Sequence, residues 1–204
     1  MMRYRVWHRT AYTYEKPVED SVGQFHLTPR TLPWQHVEST EVTVDPVPGD
    51  INVDTDAFGN ASTFFHVTEP HTALTIECTS VVRVEVPEYD AAARELPWEQ
   101  ARPLVHPELP EAWRAVEFAL ESPRAQHVES ATEYAAVSLT PGRPIAEAAT
   151  DLMQRIFRDF TYDSKATTVT STVADAMAAR AGVCQDFAHL ALAGLRAHGI
   201  AARY

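Results

Sequence analysis

The stretch GVCQDFAHLALAGLRAHGI, residues 182–200, decides the fold of the second half of this chain. Its apolar residues recur at helical spacing from Phe187 to Leu195, and Gly199 supplies a stop signal for the helix. A glycine and a valine precede Cys184, so the pattern places this cysteine at, or within one residue of, the N-terminus of the helix. The sequence therefore predicts a helix that begins at a cysteine.

Cys184 is a candidate nucleophile because of this position. The thiolate is the reactive form of cysteine, and the free amide donors and dipole at a helix N-terminus stabilise it. A nucleophile on a rigid helix that points into a cleft suits acyl transfer. Alternatively, Cys184 is a small packed residue in an Ala-rich helix, and spacing leaves both interpretations open. Cys184 lies one turn before Phe187, so we expect its side chain to face packed elements rather than water.

Upstream of this helix the sequence predicts further helices. Thr172 and Asp175 resemble a capping box in which Asp replaces the usual Glu, so a short helix should end near Arg180. A second apolar stripe follows Pro144 and consists of Ile145, Ala149, Leu152, Ile156 and Phe160. Residues 112–120 have a similar pattern. The chain beyond residue 110 is therefore predicted to be mainly helical.

The first 86 residues have the period of strands. Apolar and polar residues alternate over residues 74–86, which is typical of a half-buried strand. Shorter strand-like runs occur at residues 6–14, 42–44 and 63–67, with turn signals between them. Several short strands separated by turns indicate an antiparallel β-sandwich. Cys78 shares the apolar face of the longest run and is expected in the core.

A proline-rich segment separates the two patterns. Five prolines with little periodicity lie between residues 87 and 110, which is typical of a connector. We therefore predict an α+β protein with a β-sandwich at residues 1–86, a connector at 87–110 and a helical domain at 111–204.

Composition excludes several classes of protein. Apolar residues make up 45% and charged residues 22% of the 204 residues, so wholesale disorder is excluded. The net charge is −11, whereas nucleic-acid binding needs a basic surface, so no nucleic-acid partner is expected. No apolar run approaches the about 18 residues of a membrane span, and no signal-peptide pattern follows the basic N-terminus. We therefore expect no membrane association and a cytoplasmic protein with free thiols.

The sequence predicts no metal and no cofactor. Neither a Cys-x-x-Cys pair nor a His-Glu-x-x-His motif occurs, and the spacing of His66 and His71 is incidental. A Gly-rich phosphate loop is also absent from the sequence.

Several segments of the chain resemble a known family. Four of them, FTYD (160–163), TVADA (172–176), GVCQDFAH (182–189) and LRAHGIAARY (195–204), look like the first half of a bacterial transglutaminase-like core. Three others, HRTAYTY (8–14) with Pro17 and Val18, LTPR (27–30) and DAFGN (56–60), resemble the β-sandwich that precedes such cores. The resemblance covers nearly the whole chain and implies a sandwich followed by the helical half of a papain-like core, which would be incomplete.

The resemblance also implies a mechanism. In a Cys-His-Asp triad the thiolate of Cys184 would attack an amide of a protein or peptide and form a thioester, which water or an amine then resolves. The family places the His and Asp on strands that follow the cysteine helix. Because the chain stops at Tyr204, where the first such strand should start, we expect this chain alone to be inactive.

No histidine within the chain is a good substitute for the missing base. His189 lies about 140° around the helix from Cys184, and His198 lies about 21 Å further along the axis. The other histidines precede the nucleophile, contrary to the order in the family; they are His8, His26, His36, His66, His71, His106 and His127.

Three side chains and one backbone group complete the candidate site. Asp186 would complement the helix dipole, and we expect other contacts to hold its carboxylate away from the thiolate. Tyr162 could line the cleft, although an aromatic residue there is more often packing. Gln185 follows the cysteine directly, and the backbone amide of Cys184 is a candidate oxyanion donor.

One alternative function and one consequence of truncation follow. The chain could be a non-catalytic interaction module in which the β-sandwich binds a partner.

Loss of the sheet that covers a papain-like cysteine helix would expose the face formed by Phe187, Leu190 and Leu195. On this argument we expect the chain to self-associate.

Overall fold

Strands occupy most of the first 84 residues and helices most of the remainder, as expected for an α+β protein. The computed structural model describes residues 1–108, 112–168 and 170–204. It divides the chain into two units, Met1–Glu88 and Tyr89–Tyr204. The described part of the predicted connector, up to residue 108, thus falls mostly within the second unit and contains helical turns of its own. The last two connector residues lie outside the described residues.

The first unit is built from two three-stranded antiparallel sheets. Its strands in chain order are β1 (Met2–Val18), β2 (Ser21–Phe25), β3 (Gln35–Asp45), β4 (Asp50–Thr55), β5 (Ala61–Val67) and β6 (His71–Val84). One sheet has the order β1-β6-β3 and the other the order β2-β5-β4. In each sheet the central strand comes late in the sequence and pairs with two earlier strands.

Both sheets contribute to one apolar core, which makes the unit a sandwich. The core residues from the two sheets are Phe25, Val44, Phe65, Val67, Leu74 and Ile76. Every second residue of β6 points into this interior, and Cys78 is only 4% exposed. The prediction that Cys78 is a core residue is therefore confirmed.

The turn before β5 is held by a single carboxylate. Oδ1 of Asp56 accepts hydrogen bonds from the backbone amides of Phe58 and Asn60, both at 2.8 Å. Together with the Asn60 side chain, these bonds hold the pKa of Asp56 below its usual value. Gly59 has a φ of 78°, which only glycine adopts without strain. The turn lies where the sequence predicts it.

The second unit is mainly helical. Its helices are α1 (Ala91–Glu95), α2 (Ala112–Glu117), α3 (Glu129–Ala136), α4 (Ile145–Asp159), α5 (Val173–Ala179) and α6 (Cys184–Ala197), with a 3-10 turn at Pro103–Val105. Two short parallel strands, β7 (Thr161–Tyr162) and β8 (Ala181–Gly182), pair between them. Within the described residues, no helix is both long and apolar enough to cross a membrane. The sequence predicts α2, α4, α5 and α6 but not α3, and it does not predict α1, which lies in the segment expected to be a connector.

The buried face of α4 differs from the predicted stripe. Ala148, Leu152 and Ile156 are buried, whereas Ala149 is exposed. At about 100° per residue, position 149 lies only about 20° around the helix from Ile156, so helical spacing alone does not account for its exposure. Phe157 lies further round still and is 86% exposed.

The apolar face of α6 is covered, which corrects the expectation that it is exposed. Leu190 is only 1% exposed, and Phe187 and Leu195 pack against the same core. The ring of Phe187 lies edge-on to that of Phe160 at 5.8 Å between centroids. Neighbouring helices within the unit therefore cover Phe187, Leu190 and Leu195, the face that was expected to be exposed.

α3 and α6 approach each other closely because α6 has a glycine at the contact. A Cβ atom on Gly194 would lie 2.6 Å from Cβ of Ala135 and 3.1 Å from the carbonyl oxygen of Ala131. Both distances are shorter than ordinary van der Waals contact, so no larger residue fits without displacement. Small residues on both helices thus set the distance between them.

A cluster of aromatic and basic side chains joins α3 to the C-terminal ends of α4 and α5. The Tyr134 hydroxyl donates to the carboxylate of Asp159 at 2.8 Å, and the Arg155 guanidinium lies 4.1 Å from the centre of the Tyr134 ring. Arg180 lies over the Tyr134 and Phe160 rings. Burial and the hydrogen bond to Asp159 raise the pKa of Tyr134 to about 12.

Arg196 holds the chain that leaves α6. This side chain is only 8% exposed, and its guanidinium donates twice to the Ala202 carbonyl, at 2.7 and 3.0 Å. It also donates to the Ser122 hydroxyl at 3.0 Å and to the Leu120 carbonyl at 3.3 Å. Burial lowers the pKa of Arg196. The charge is thus solvated by protein oxygens instead of water.

The contact at Gly194 yields a stability prediction. Gly194→Ala should lower the free energy of unfolding by about 1–3 kcal/mol, because overpacking outweighs the gain of about 1 kcal/mol in helix propensity. Hydrogen exchange of the α6 amides measures this effect in the second unit alone. Ala135→Gly removes the nearest methyl group, so the double variant should recover part of the loss. A stabilised Gly194→Ala protein would contradict the close approach.

Candidate active site

Cys184 is the first residue of α6, where the sequence places it. The preceding residue, Val183, is extended and forms the N-cap of the helix. The Cys184 side chain is exposed, whereas the sequence predicts that it faces packed elements. The buried Ala193 is nine residues further on, about 180° around the helix, so Cys184 lies on the side opposite to that part of the core.

The start of α6 leaves backbone donors beside the thiol. The first amides of any helix have no acceptor within the helix. Here the Val183 amide donates to Oδ2 of Asp186 at 2.8 Å, and the Phe187 amide donates to the Val183 carbonyl at 3.2 Å. Helix geometry therefore leaves the Cys184 amide for an acceptor outside the helix, as a candidate oxyanion donor requires.

The Asp186 carboxylate connects three segments of the chain beside Cys184. Its carboxylate is 5% exposed, and Oδ2 accepts from the Thr167 hydroxyl at 2.6 Å as well as from Val183. A Cβ atom on Gly182 would lie 2.6 Å from the same oxygen, so only glycine fits there. The carboxylate thus holds the loop at 167, the residues before Cys184 and the first turn of α6. These contacts give Asp186 a structural role.

The pairing of β7 with β8 brings Tyr162 to the same place. Tyr162 is the register partner of Gly182, and the Asp163 amide donates to the Gly182 carbonyl at 2.9 Å. The Tyr162 side chain is 67% exposed and therefore is not core packing. Gln185 is half-buried in the first turn of the helix. Tyr162, Gln185 and Asp186 therefore all lie close to Cys184: Tyr162 pairs with the strand just before it, and the other two follow it in the first turn of α6.

The histidines of α6 and its C-terminal end have other partners. The ring of His189 lies 5.5 Å from that of Tyr204, and burial, aided by Arg124, lowers the pKa of His189. Nδ1 of His198 donates to the Gly194 carbonyl at 2.8 Å. Within the described ranges, neither histidine hydrogen-bonds to the Cys184 thiol. No histidine in this part of the chain is placed as its general base.

Sequence reasoning missed two residues of this site. No local pattern around Gly182 indicates its close approach to Asp186, which requires the three-dimensional structure. Thr167 lies 19 residues before Asp186, so no local pattern connects the two. In the ranges that the structure describes, no group of three or more His, Cys, Asp or Glu side chains could hold a metal ion.

Comparison with known families matches both units. The profile described as the bacterial transglutaminase-like N-terminal region matches residues 4–83, and that of the transglutaminase-like superfamily matches residues 131–204. The chain belongs to the bacterial transglutaminase-like superfamily.

The chain is also similar to curated proteins and to a solved structure. An uncharacterized protein of Mycobacterium tuberculosis is 45% identical over 99% of this chain, and one of Mycobacterium leprae is 31% identical over 100%. The chain spans 64% of the former and 70% of the latter. The crystal structure of a proposed cysteine protease from Cytophaga hutchinsonii has the same fold, with a TM-score of 0.73. That match has 20% identity and covers 96% of this chain and 63% of the other.

The Asp186 carboxylate provides the prediction for this site. Asp186→Ala should lower the free energy of unfolding by about 1–2 kcal/mol, because it leaves the Val183 amide and the Thr167 hydroxyl without their acceptor. The Val183 amide should then lose its protection from hydrogen exchange. Asp175→Ala is the matched control, because Asp175 caps α5 in the same way but is exposed. It should deprotect the Thr172 amide and leave Val183 unchanged; equal effects of both variants on Val183 would contradict the assignment.

Proposed function

We propose that Cys184 is the nucleophile of a cysteine acyltransferase, protease or amidase that acts on protein or peptide amides. The observation that carries this proposal is the exposed thiol on the first residue of α6, beside an amide that the helix does not use. Membership of the superfamily supports the same class of chemistry. No cofactor is needed for this reaction.

The proposed reaction has two acyl-transfer steps. The Cys184 thiolate attacks the amide carbonyl, and the Cys184 amide donates to the oxyanion that forms. The carbon–nitrogen bond breaks, and the leaving ammonia or amine takes up a proton from a general acid. Water or a second amine then attacks the thioester, gives up its proton and releases the thiolate. Hydrolysis, deamidation and cross-linking differ in the leaving group and in this second nucleophile.

The proton transfers need a general base. The histidines of α6 and its C-terminal end are bound elsewhere, and the family resemblance puts the His and Asp on strands after the cysteine helix. The chain spans 64% of the length of its Mycobacterium tuberculosis relative. We therefore expect low turnover from these 204 residues alone.

The setting that suits this chemistry is a reducing one. Cys78 and Cys184 are both free cysteines, and the cytoplasm keeps thiols reduced. A nucleophilic thiolate needs that condition, because a disulfide at Cys184 would block attack. We place the activity in the cytoplasm for this reason.

A second candidate function is a non-catalytic interaction module. The observation in its favour is that His189 and His198, the histidines of α6 and its C-terminal end, have other partners. In this case the β-sandwich binds a partner and Cys184 is an exposed residue without a catalytic role. The two functions differ in the reactivity of the thiol.

Thiol labelling distinguishes them. In the native chain at neutral pH, iodoacetamide should label Cys184 about tenfold faster than in the urea-unfolded chain, because the helix start stabilises the thiolate. Mass spectrometry of the peptides measures both rates. Cys78 is the internal reference and should stay unlabelled in the native chain, since it is 4% exposed. A native Cys184 that reacts no faster than the unfolded one favours the interaction module.

A turnover assay tests the need for a base elsewhere. Release of ammonia from a glutamine-containing peptide should be no greater for the 204-residue chain than for its Cys184→Ser variant. Turnover that depends on Cys184 would show that a base within this chain serves the thiol.

A further inference from the structure

We propose that β1 is a self-association surface, on which a second copy of this chain pairs antiparallel to form a continuous six-stranded sheet. The partner is the chain itself, and the contact is made by backbone hydrogen bonds along the open edge of β1. This proposal does not depend on the activity of Cys184, so either can fail without the other.

One edge of β1 has no partner strand in the part of the chain that the structure describes. β1 pairs with β6 on one side and is the end strand of its sheet. It is 17 residues long, against a typical strand length of about 5–6, and its pairing with β6 is regular over residues 2–13. Its outward N–H and C=O groups therefore form a long, regular template for another strand.

The other sheet edges carry the features that prevent such pairing. β3 has a register irregularity between Val37 and Ser39, which interrupts a regular ladder. β2 has five residues and β4 has six, with acidic side chains at Asp50 and Asp54. Short strands, irregular pairing and charged side chains all oppose pairing between sheet edges. β1 is long and has neither a bulge nor a proline before residue 14, so of these features it carries only charged side chains, at Arg3, Arg5 and Arg9.

The side chains of β1 are unusually apolar for such an exposed strand. Tyr4, Val6 and Tyr12 are 44%, 49% and 48% exposed, and Trp7 is 62% exposed. The first three lie on the face that packs toward the sandwich core, because their register partners on β6 include the buried Val82 and Leu74. A second strand alongside would cover this apolar surface and remove it from water.

The positive charge of β1 does not prevent self-pairing. Arg3 and Arg9 form ion pairs with Glu38 and Glu77, at 2.8 and 3.1 Å. These acidic partners belong to the same sheet and remain in place when the open edge is occupied. The repulsion between two copies of the strand is therefore reduced.

An antiparallel register centred on His8 is self-complementary. It places Tyr4 opposite Tyr12 of the second copy, a cross-strand aromatic pair. On the other face it places Trp7 opposite Arg9 of the second copy, which allows a cation–π contact. The remaining arginines then face small side chains, Arg3 opposite Thr13 and Arg5 opposite Ala11. No two arginines are directly opposite each other in this register.

The first test is the oligomeric state of the 204-residue chain. Sedimentation equilibrium at micromolar protein concentrations should show a dimer, and Trp7→Lys should weaken it about tenfold or more, because Lys then faces Arg9 of the second copy. Val53→Lys is the matched control, since Val53 is a 64% exposed apolar residue on the edge strand β4. The dimer affinity of the Val53→Lys variant should equal that of the unsubstituted chain. A monomeric chain, or a dimer that both variants weaken equally, overturns the proposal.

The second test addresses the register and does not rely on the Trp7 variant folding. In a Cys78→Ser, Cys184→Ser background, mild oxidation should cross-link His8→Cys into a disulfide dimer. Residues opposite each other in antiparallel strands are about 4.5–5.5 Å apart at Cα, within the range of a disulfide. Thr10→Cys is the control, because its two copies would be about 13 Å apart. Equal cross-linking of both variants, or of neither, overturns the proposed pairing.

Discussion

The buried carboxylate of Asp186 is the contact on which the candidate site depends. It accepts hydrogen bonds from Val183 and Thr167 and leaves room only for glycine at position 182. A buried carboxylate is costly unless its oxygens are hydrogen-bonded, so these segments are not free to move independently. The start of α6, and with it the thiol of Cys184, is positioned by this requirement. The pairing of Tyr162 with Gly182 places β7 beside the same segment that precedes Cys184.

Local patterns predicted much of the fold and of the site. The spacing from Phe187 to Leu195 predicted α6, and the capping box at Thr172 predicted α5. Each of these signals is local, because its residues belong to the helix that it predicts. The alternation along β6 likewise predicted that Cys78 is buried. The superfamily followed from the resemblance of short segments in both halves of the chain, among which GVCQDFAH around Cys184 is specific when it begins a helix.

The features that sequence did not predict come from contacts between distant residues. α3 is rich in alanine, and its packing depends on the missing side chain of Gly194, so it carries no strong apolar stripe of its own. Thr167 reaches Asp186 through a loop whose geometry no spacing rule describes. The cover over Leu190 comes from neighbouring helices of the same unit, and the apolar spacing of α6 alone does not indicate which element covers it. The exposure of Cys184 follows from the same arrangement, since the core lies along another side of α6.

The two sulfur atoms of this chain lie in opposite environments. Cys78 is enclosed between the strands of the sandwich, and Cys184 is at the surface of the helical unit. An oxidant in solution therefore reaches one thiol and not the other. Oxidation to a sulfenic or sulfinic acid would remove the proposed nucleophile while Cys78 in the sandwich core stays reduced. The redox state of the surroundings thus acts on the chemistry of this chain separately from its stability.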